Sequence, residues 1–516
     1  MTLRELLTVL GESGQLSGPI GDVLPAAACD LAVTAVAYDS RAAAPGSVFV
    51  AMQGEKADGA SFAGQAVARG AIAVVSAGEA PSTCAAPWIR VPDDRLALAA
   101  LSAAFYGHPS RALRVIGITG TNGKTTCAYL VREMFEAAGV PCGLMGTVQY
   151  RIGATVREAA RTTPEATDLQ QMFREMIEAG CGACAMEVSS HALALKRAES
   201  TRFAAAVFTN LTRDHLDFHQ DMDRYFAAKR RLFQLLPPGA PSVINMDDPR
   251  GALLAAQFTP IVTYGVDRPA DVMPVAMPAS LLGLSFDVGT PAGTVQIRSR
   301  LGGRFNVYNL LAAVATGVAA GLPVPAIEAG LARVETVPGR FQVVSSTEDD
   351  VAVIVDYAHT DDALKNLLEA VRPLATARLL TVFGCGGDRD RTKRPLMGAV
   401  AARLSDIVAI TSDNPRSEDP EAIIDEIVRG IAQPGDRGRS PSSAAPGSRP
   451  APVCWRIADR RAAIDRAVSE AQPGDVVVIA GKGHEKYQVI RDKTLPFDDV
   501  AVAHDALGRR RARKAS

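Results

Sequence analysis

The stretch that most constrains this chain runs from Arg114 to Thr126: Arg-Val-Ile-Gly-Ile-Thr-Gly-Thr-Asn-Gly-Lys-Thr-Thr. Val115, Ile116 and Ile118 form a short apolar run that reads as a buried strand, and Gly120 and Gly123 break it into a turn. Lys124, Thr125 and Thr126 then open an amphipathic pattern with Tyr129, Leu130, Met134 and Phe135, which reads as a helix. A strand, a glycine loop and a helix N-terminus in that order hold a nucleoside triphosphate. Loop N–H groups and the positive helix end face the phosphates, the lysine neutralises them, and a threonine hydroxyl ligates Mg²⁺. The candidate phosphate loop is therefore Gly120, Thr121, Asn122, Gly123, Lys124, Thr125 and Thr126. It is a variant, because Ile118 stands six positions before the lysine, where the standard pattern has glycine. Turn chemistry alone does not account for Gly-Lys-Thr-Thr in this setting.

At 516 residues the chain is too long for one hydrophobic core, and about two to four domains are expected. It is 47% hydrophobic and 22% charged with a net charge of −1, a globular composition with no basic excess to recruit nucleic acid. The Arg509-Arg510-Arg511 cluster reads as a solvated tail. Met1 to Leu10 carries charges inside its apolar pattern and lacks a secretory core, and no apolar run is long enough to span a bilayer. The expected location is the cytoplasm, without membrane insertion, and the expected state a monomer. Eight cysteines in so long a chain do not make a disulfide framework; Cys181 and Cys184 form a CxxC that reads as buried core thiols.

Strands and helices alternate, which predicts α/β domains with mainly parallel sheets. The expected strands include Ser47–Ala51, Ile72–Ser76, Val115–Thr119, Ala183–Val188 and Ala205–Thr209. Further along come Val351–Asp356, Leu379–Phe383, Ile407–Thr411 and Val476–Ala480. Their continuous Val/Ile/Ala/Leu runs suit sheets covered on both faces. Three units follow: an N-terminal α/β unit over 1–112, a central parallel-sheet nucleotide unit over 113–338 and a C-terminal Rossmann-like unit over 339–516. The Pro/Ser/Gly-rich insert 434–452 has almost nothing to bury and is expected to be a disordered surface loop.

Several polar constellations sit at strand ends. Glu187 closes the Ala183–Met186 run and suits a Mg²⁺ ligand beside the phosphate loop. Asn210-Leu-Thr-Arg-Asp-His-Leu-Asp-Phe-His219 follows another strand; His215 is the candidate second metal ligand, with Asp214 and Asp217 to orient it, and a capping or solvated role is equally open to each. Thr162-Thr163-Pro164-Glu165 reads as a capped helix start whose hydroxyls and N–H groups could equally hold an anionic substrate, and Asp39-Ser40-Arg41 has the same two readings. Lys229, within Tyr225–Phe233, reads from composition as a helix-surface lysine. Three loops, Gly384–Arg391, Ser412–Arg416 and Gly481–Glu485, leave the same ends of three strands, the geometry of a binding crevice. Arg389 and Arg416 suit a carboxylate, Asp413 and Glu485 an ammonium, and the set suits a zwitterionic amino acid, while ion pairs between these loops are the competing reading for each residue singly.

These motifs, in this order, resemble the Mur ligases of bacterial peptidoglycan synthesis over nearly the whole chain. The resemblance rests on Gly120–Thr126, Glu187-Val-Ser-Ser-His191, Asn210–Asp217, Gly339-Arg340-Phe341 and Asp356-Tyr-Ala-His359. Asp413-Asn414-Pro415-Arg416 is similar to the signature of members that add meso-diaminopimelate, and relatives that add L-lysine differ there. The resemblance implies an ATP-dependent amide ligase that uses ATP and Mg²⁺ and acts on UDP-MurNAc-L-Ala-D-Glu and meso-diaminopimelate through an acyl phosphate. It implies that Lys229 is carbamylated and holds a second Mg²⁺, so that the metal ligands are Thr125, Glu187, His215 and Lys229, and the catalytic set is Lys124, Lys229, His215 and Arg340. By the same resemblance, Asn306 and Asn309 lie near the adenine, Arg340 near the phosphates and Asp356 near the ribose. Ser40, Glu55, Lys56 and Ala57 hold the UDP end of the precursor, and Thr162, Thr163, Ser189 and Arg197 its muramoyl-dipeptide. Arg389, Asp413, Asn414, Pro415, Arg416, Gly481 and Glu485 bind diaminopimelate. Arg161, Leu195, Asp361 and Thr392 depart from the usual pattern, where Asn, Gln, Pro and Gly are frequent. The alternatives are a related ligase adding lysine to the same precursor or glutamate to folate, and a non-catalytic protein gated by ATP. Exchanging the acceptor amino acid separates the first two, and the absence of a ligated product would mark the third.

Overall fold

The computed structural model describes residues 1–16, 24–54, 57–82, 84–276, 283–346, 348–431 and 451–515. All but the last two residues of the 434–452 insert lie outside them, as do Glu55 and Lys56.

Three sheets organise the chain. The first is parallel, in the order Ala35–Ala37, Ser47–Val50, Ala73–Ser76 and Trp88–Arg90. Helix Leu3–Glu12 packs on it through Leu3, Leu6, Leu7 and Leu10, the i, i+3, i+4, i+7 spacing of one helix face, and a Thr2/Glu5 capping box fixes its start.

The second sheet has eight strands, in the order Ile261–Tyr264, Ser242–Asn245, Phe203–Phe208, Arg114–Thr119, Ala183–Glu187, Cys142–Met145, Gln149–Ile152 and Thr155–Glu158. The first six are parallel and the last two turn back as antiparallel edge strands. The phosphate-loop strand is central, flanked by the strand that ends at Glu187 and by the one that leads to Asn210. Both neighbouring loops therefore open beside the phosphate loop, as the strand order of an open parallel sheet requires. Cys181 and Cys184 are buried in this core, as the sequence implied. A separate antiparallel ribbon, Met273–Pro274, Leu284–Thr290 and Gly293–Ser299, packs on the same core.

The third sheet runs Gln342–Val343, Ala352–Asp356, Val476–Ala480, Leu379–Phe383, Ile407–Ile410 and Val453–Arg456, parallel except for the first strand. Leu379–Phe383, Ile407–Ile410 and Val476–Ala480 are neighbours, so the three polar loops that follow them emerge side by side. Two expectations are corrected here. Arg510 is no solvated tail residue: it lies in helix Asp499–Ala515, 8% exposed, donating to Asp350 and to the carbonyls of Val468 and Ala471. Helix Ala166–Glu178 is entered at Glu165 without a side-chain cap, so Thr162 and Thr163 do not cap it.

Candidate active site

The phosphate loop is held from the neighbouring loop. Asn122 N–H donates to Asn210 Oδ1 (2.9 Å), Thr121 N–H to Asn210 O (2.9 Å), and Thr209 Oγ1 to Asn122 O (2.6 Å). Gly120 is obligatory, because φ is +151° and a Cβ would overlap Thr209 Oγ1. Helix Lys124–Ala137 starts at Gly123, so the first helical N–H groups face the loop's concavity. Asn306 and Asn309 are buried behind the loop, with Asn309 Nδ2 donating to Asn306 Oδ1 (2.9 Å).

Lys124 Nζ donates to Gly120 O (2.9 Å) and Thr121 O (2.8 Å), and Lys229 Nζ donates to the same Gly120 O (2.7 Å). Lys229 is 1% exposed, which overturns the helix-surface reading. On helix Met222–Gln234 the buried face comprises Tyr225, Phe226, Lys229, Leu232 and Phe233, and the lysine sits in phase with it. Its ammonium lies 4.4 Å from the Tyr225 ring, whose hydroxyl is 3.2 Å from Thr121 Oγ1. Burial, and then the charge of Lys124, push the Lys229 amine well below the usual lysine range, with Asp214 opposing.

Glu187, 1% exposed, receives Thr125 Oγ1 (3.0 Å), Thr147 N–H (2.8 Å) and Thr147 Oγ1 (3.1 Å). Thr147 had no sequence signal. His215 has φ +55° at the entrance to Leu216–His219, with Nε2 3.2 Å from Asp214 Oδ2, and His359 approaches the same oxygen at 3.8 Å. Burial holds the His215 imidazole well below its usual range even with Asp214 beside it. Among the described residues, no three His, Cys, Asp or Glu side chains form a metal cage. Mg²⁺ needs none, since it takes one or two protein oxygens and completes its shell with phosphate and water. The adjacent Glu187 carboxylate and Thr125 hydroxyl fit that demand, and a buried amine whose pKa burial lowers is the kind of group to which CO₂ adds at Lys229.

From the third sheet, Arg340 Nη2 donates to Thr125 Oγ1 (3.1 Å), and its guanidinium lies 4.5 Å from the Tyr357 ring. Asp356 accepts from Phe341 N–H (2.6 Å) and Ala358 N–H (2.7 Å), an anchor for the Arg340 loop.

Between the sheets opens a crevice of about 1880 Å³. Ala57, Thr162, Thr163, Ser189 and Arg197 line one side, Asp214, His215, Asp217 and His359 its middle, and Arg389, Asp413, Asn414, Arg416, Gly481 and Glu485 the other side. Ser40, which donates to Gln65 (2.6 Å), is not among the lining residues, and neither are Lys124, Glu187 and Lys229. Thr163 Oγ1 donates to Glu187 O (2.9 Å) and accepts from Ser189 N–H (3.1 Å), which ties the Thr162/Thr163 loop to the strand end at Glu187. Arg197 pairs with Glu165 (2.7 Å), and Arg161, one of the departures, pairs with the same carboxylate (2.6 Å). Arg416 reaches Gly387 O (2.7 Å) with φ +50°, and the fully buried Arg394, absent from the sequence reading, props the loop through Glu418 and Glu426.

Fold and site together define a three-domain α/β enzyme in which a glycine loop at a helix N-terminus stands beside a polar crevice lined from two largely parallel sheets. Residues 32–106 match the Mur ligase family catalytic domain, 118–317 the Mur ligase middle domain and 339–483 the Mur ligase glutamate ligase domain. The chain belongs to the Mur ligase family. It is 48% identical to a UDP-N-acetylmuramoyl-L-alanyl-D-glutamate–2,6-diaminopimelate ligase of Solibacter usitatus, over 92% of this chain and 93% of that one. A protein of the same name from Gloeobacter violaceus is 47% identical over 94% and 96%. A solved structure of such a ligase superposes with a TM-score of 0.67 at 34% identity, covering 96% of this chain and all of that one. A MurF ligase of Thermotoga maritima in complex with ADP shares the fold, with a TM-score of 0.63 at 16% identity over 94% of this chain and 99% of that one.

Proposed function

We propose that this chain adds meso-diaminopimelate to the D-glutamate γ-carboxylate of UDP-MurNAc-L-Ala-D-Glu, with hydrolysis of ATP to ADP and phosphate, in peptidoglycan precursor synthesis. The observation that carries the reading is the crevice, onto which the Thr162/Thr163/Ser189/Arg197 side and the Arg389/Asp413/Arg416/Glu485 side open together. The proposal includes units at 1–112, 113–338 and 339–516, which hold the UDP end, ATP and the amino acid respectively, and a cytoplasmic location.

A carboxylate does not condense with an amine in water, because its oxygen is a poor leaving group. The γ-carboxylate attacks the γ-phosphate of ATP in line; the acyl O–P bond forms as the P–O bond to ADP breaks, giving an acyl phosphate, and Lys124 and Arg340 offset the crowding of negative charge. Mg²⁺, when bound, neutralises phosphate oxygens; Thr125 and Glu187 would hold one ion, and His215 with a carboxylated Lys229 the other. The diaminopimelate amine then attacks the acyl carbon, the C–N bond forms, and the C–O bond to phosphate breaks. Arg389 and Arg416 grip the carboxylate of the amino acid's zwitterionic end, and Asp413 and Glu485 its ammonium, which aims the other amine at the acyl phosphate. The 3.1 Å contact between Arg340 and Thr125 supports a closed arrangement that shields the intermediate from water.

Purified protein incubated with the UDP-dipeptide, ATP and a mixed amino-acid pool is expected to yield one tripeptide product by mass spectrometry, carrying diaminopimelate. Phosphate release should require both the dipeptide and the amino acid, and Lys124→Ala should lower kcat by about 10²–10³-fold, as loss of a charge-stabilising donor does. Full-rate ATP hydrolysis without an amino acid, or incorporation of lysine instead, would overturn the reading.

A further inference from the structure

Beneath the amino-acid side of the crevice lies a cation that does not line it. Lys482 is 0% exposed, and its Nζ donates to Asn414 Oδ1 (3.0 Å) and Glu485 Oε2 (3.0 Å), with Asp413 Oδ1 at 3.8 Å. Asn414 Oδ1 also accepts from Val489 N–H (2.9 Å), so both of its lone pairs are taken from inside the protein. That settles the amide's orientation: Nδ2 must point the other way, and it donates to Glu485 Oε2 (2.8 Å). Glu485 Oε2 is thereby satisfied twice, which leaves Oε1 and one Asn414 N–H for a ligand. Gln488 Nε2, donating to Asp413 O (2.7 Å), and Gly481, where a Cβ would stand 2.6 Å from Asp413 Oδ2, hold the third member close.

Two carboxylates sharing one crevice wall repel each other. A buried lysine between them removes one unit of that charge and leaves the wall with a net single negative charge, the complement of one ammonium. We propose that Lys482 is a positioning and specificity-determining residue, which presets Glu485 and Asn414 for the ammonium end of the amino-acid substrate. This inference deepens the proposed function and rests on it. Lysine suits the place because a compact, fully buried ammonium donates to Asn414 and Glu485 at once while Asp413 stands 3.8 Å away. Arg389 and Arg416, both crevice-lining, are left to the carboxylate.

The test is steady-state kinetics on the full chain with the UDP-dipeptide, ATP and meso-diaminopimelate each varied. Lys482→Met is expected to raise KM for diaminopimelate by about tenfold to a hundredfold, the worth of one or two charge-assisted hydrogen bonds. KM for ATP and for the UDP-dipeptide should stay within about twofold, a split that a general packing defect would not produce. Lys482→Gln, which can keep one of the two donations, should fall between parent and Lys482→Met. A folded Lys482→Met whose KM for diaminopimelate is unchanged overturns the inference, as does an equal rise in all three KM values. If Lys482→Met does not fold, an unchanged KM in Lys482→Gln overturns it. A parent chain that forms no tripeptide overturns the proposed function and this inference together, whereas an active parent with an indifferent Lys482 overturns the inference alone.

Discussion

At the scale of single residues, burial lowers the pKa of several imidazoles around the site, among them His215, His359 and His484. His484 is the clearest example outside the metal region. Its ring lies 4.8 Å from Tyr357, and its Nδ1 is buried without a hydrogen-bond partner among the described residues. Burial, then the charges of Arg340, His359 and Lys482, lower its pKa to about 3. In the unfolded chain the imidazole titrates near its ordinary value of about 6.5. Between those two values the unfolded state binds a proton that the folded state refuses, so stability falls as pH drops through this window. His484→Leu should therefore narrow the difference in melting temperature between pH 7 and pH 5, measured by calorimetry, and an unaltered difference would refute the assignment. Lys229 gives the complementary lesson about legibility. Composition alone placed it on a helix surface, yet Tyr225, Lys229, Leu232 and Phe233 follow the i, i+4, i+7, i+8 phase of one buried face. That phase was the available signal, and it was outweighed by the residue's charge.

At the scale of elements, the departures from the family pattern become explicable. Asp361 stands where proline is usual, and it is the first residue of helix Asp361–Val371. Thr360 caps that helix with ψ 160°, and its hydroxyl accepts from Ala363 N–H (3.2 Å). An acid suits the first turn through the helix dipole, and a proline suits it through its fixed φ; an extended preceding residue tolerates either. Asp361→Pro should thus change the unfolding free energy by no more than about 0.5 kcal/mol, read from denaturant melts. A loss of about 3 kcal/mol, as for a proline inside a helix, would show that the residue is not at the first position. Strands were legible for a similar reason. Val476–Ala480 is a continuous apolar run and Leu379–Phe383 is one broken only by Thr381, because helices cover both faces of the sheet, and both lie where the pattern put them. The antiparallel ribbon at Leu284–Ser299 was not anticipated, although its alternating burial has the period of two expected of such strands.

At the scale of the whole molecule, the second and third sheets meet through a few polar contacts at the nucleotide end. Arg213 pairs with Asp390 (3.6 Å) and donates to Thr392, Asn122 Nδ2 donates to Asp362 (3.3 Å), and His359 faces Asp214 (3.8 Å). Thr392, where glycine is frequent, supplies a hydroxyl to this seam. Partly exposed pairs of this kind contribute little to stability but can bias closure. Arg213→Ala is expected to lower kcat by up to about fivefold, the worth of one such pair, with a melting temperature within about 2 °C of the parent. Hydrogen exchange should quicken in 210–214 and 388–392, and a large loss of melting temperature instead would make Arg213 a structural residue. Local order was written in the chain: Gly120 and Gly123 turn the backbone after the strand that ends at Thr119, and short apolar runs between polar turns read as covered strands. Which polar groups come to share an acceptor depended on how separate segments pack. Lys124 and Lys229 converge on Gly120 O, and Asn414, Lys482 and Glu485 close on one another across 71 residues. No local pattern encodes such meetings, because the burial that creates them exists only once the sheets have assembled.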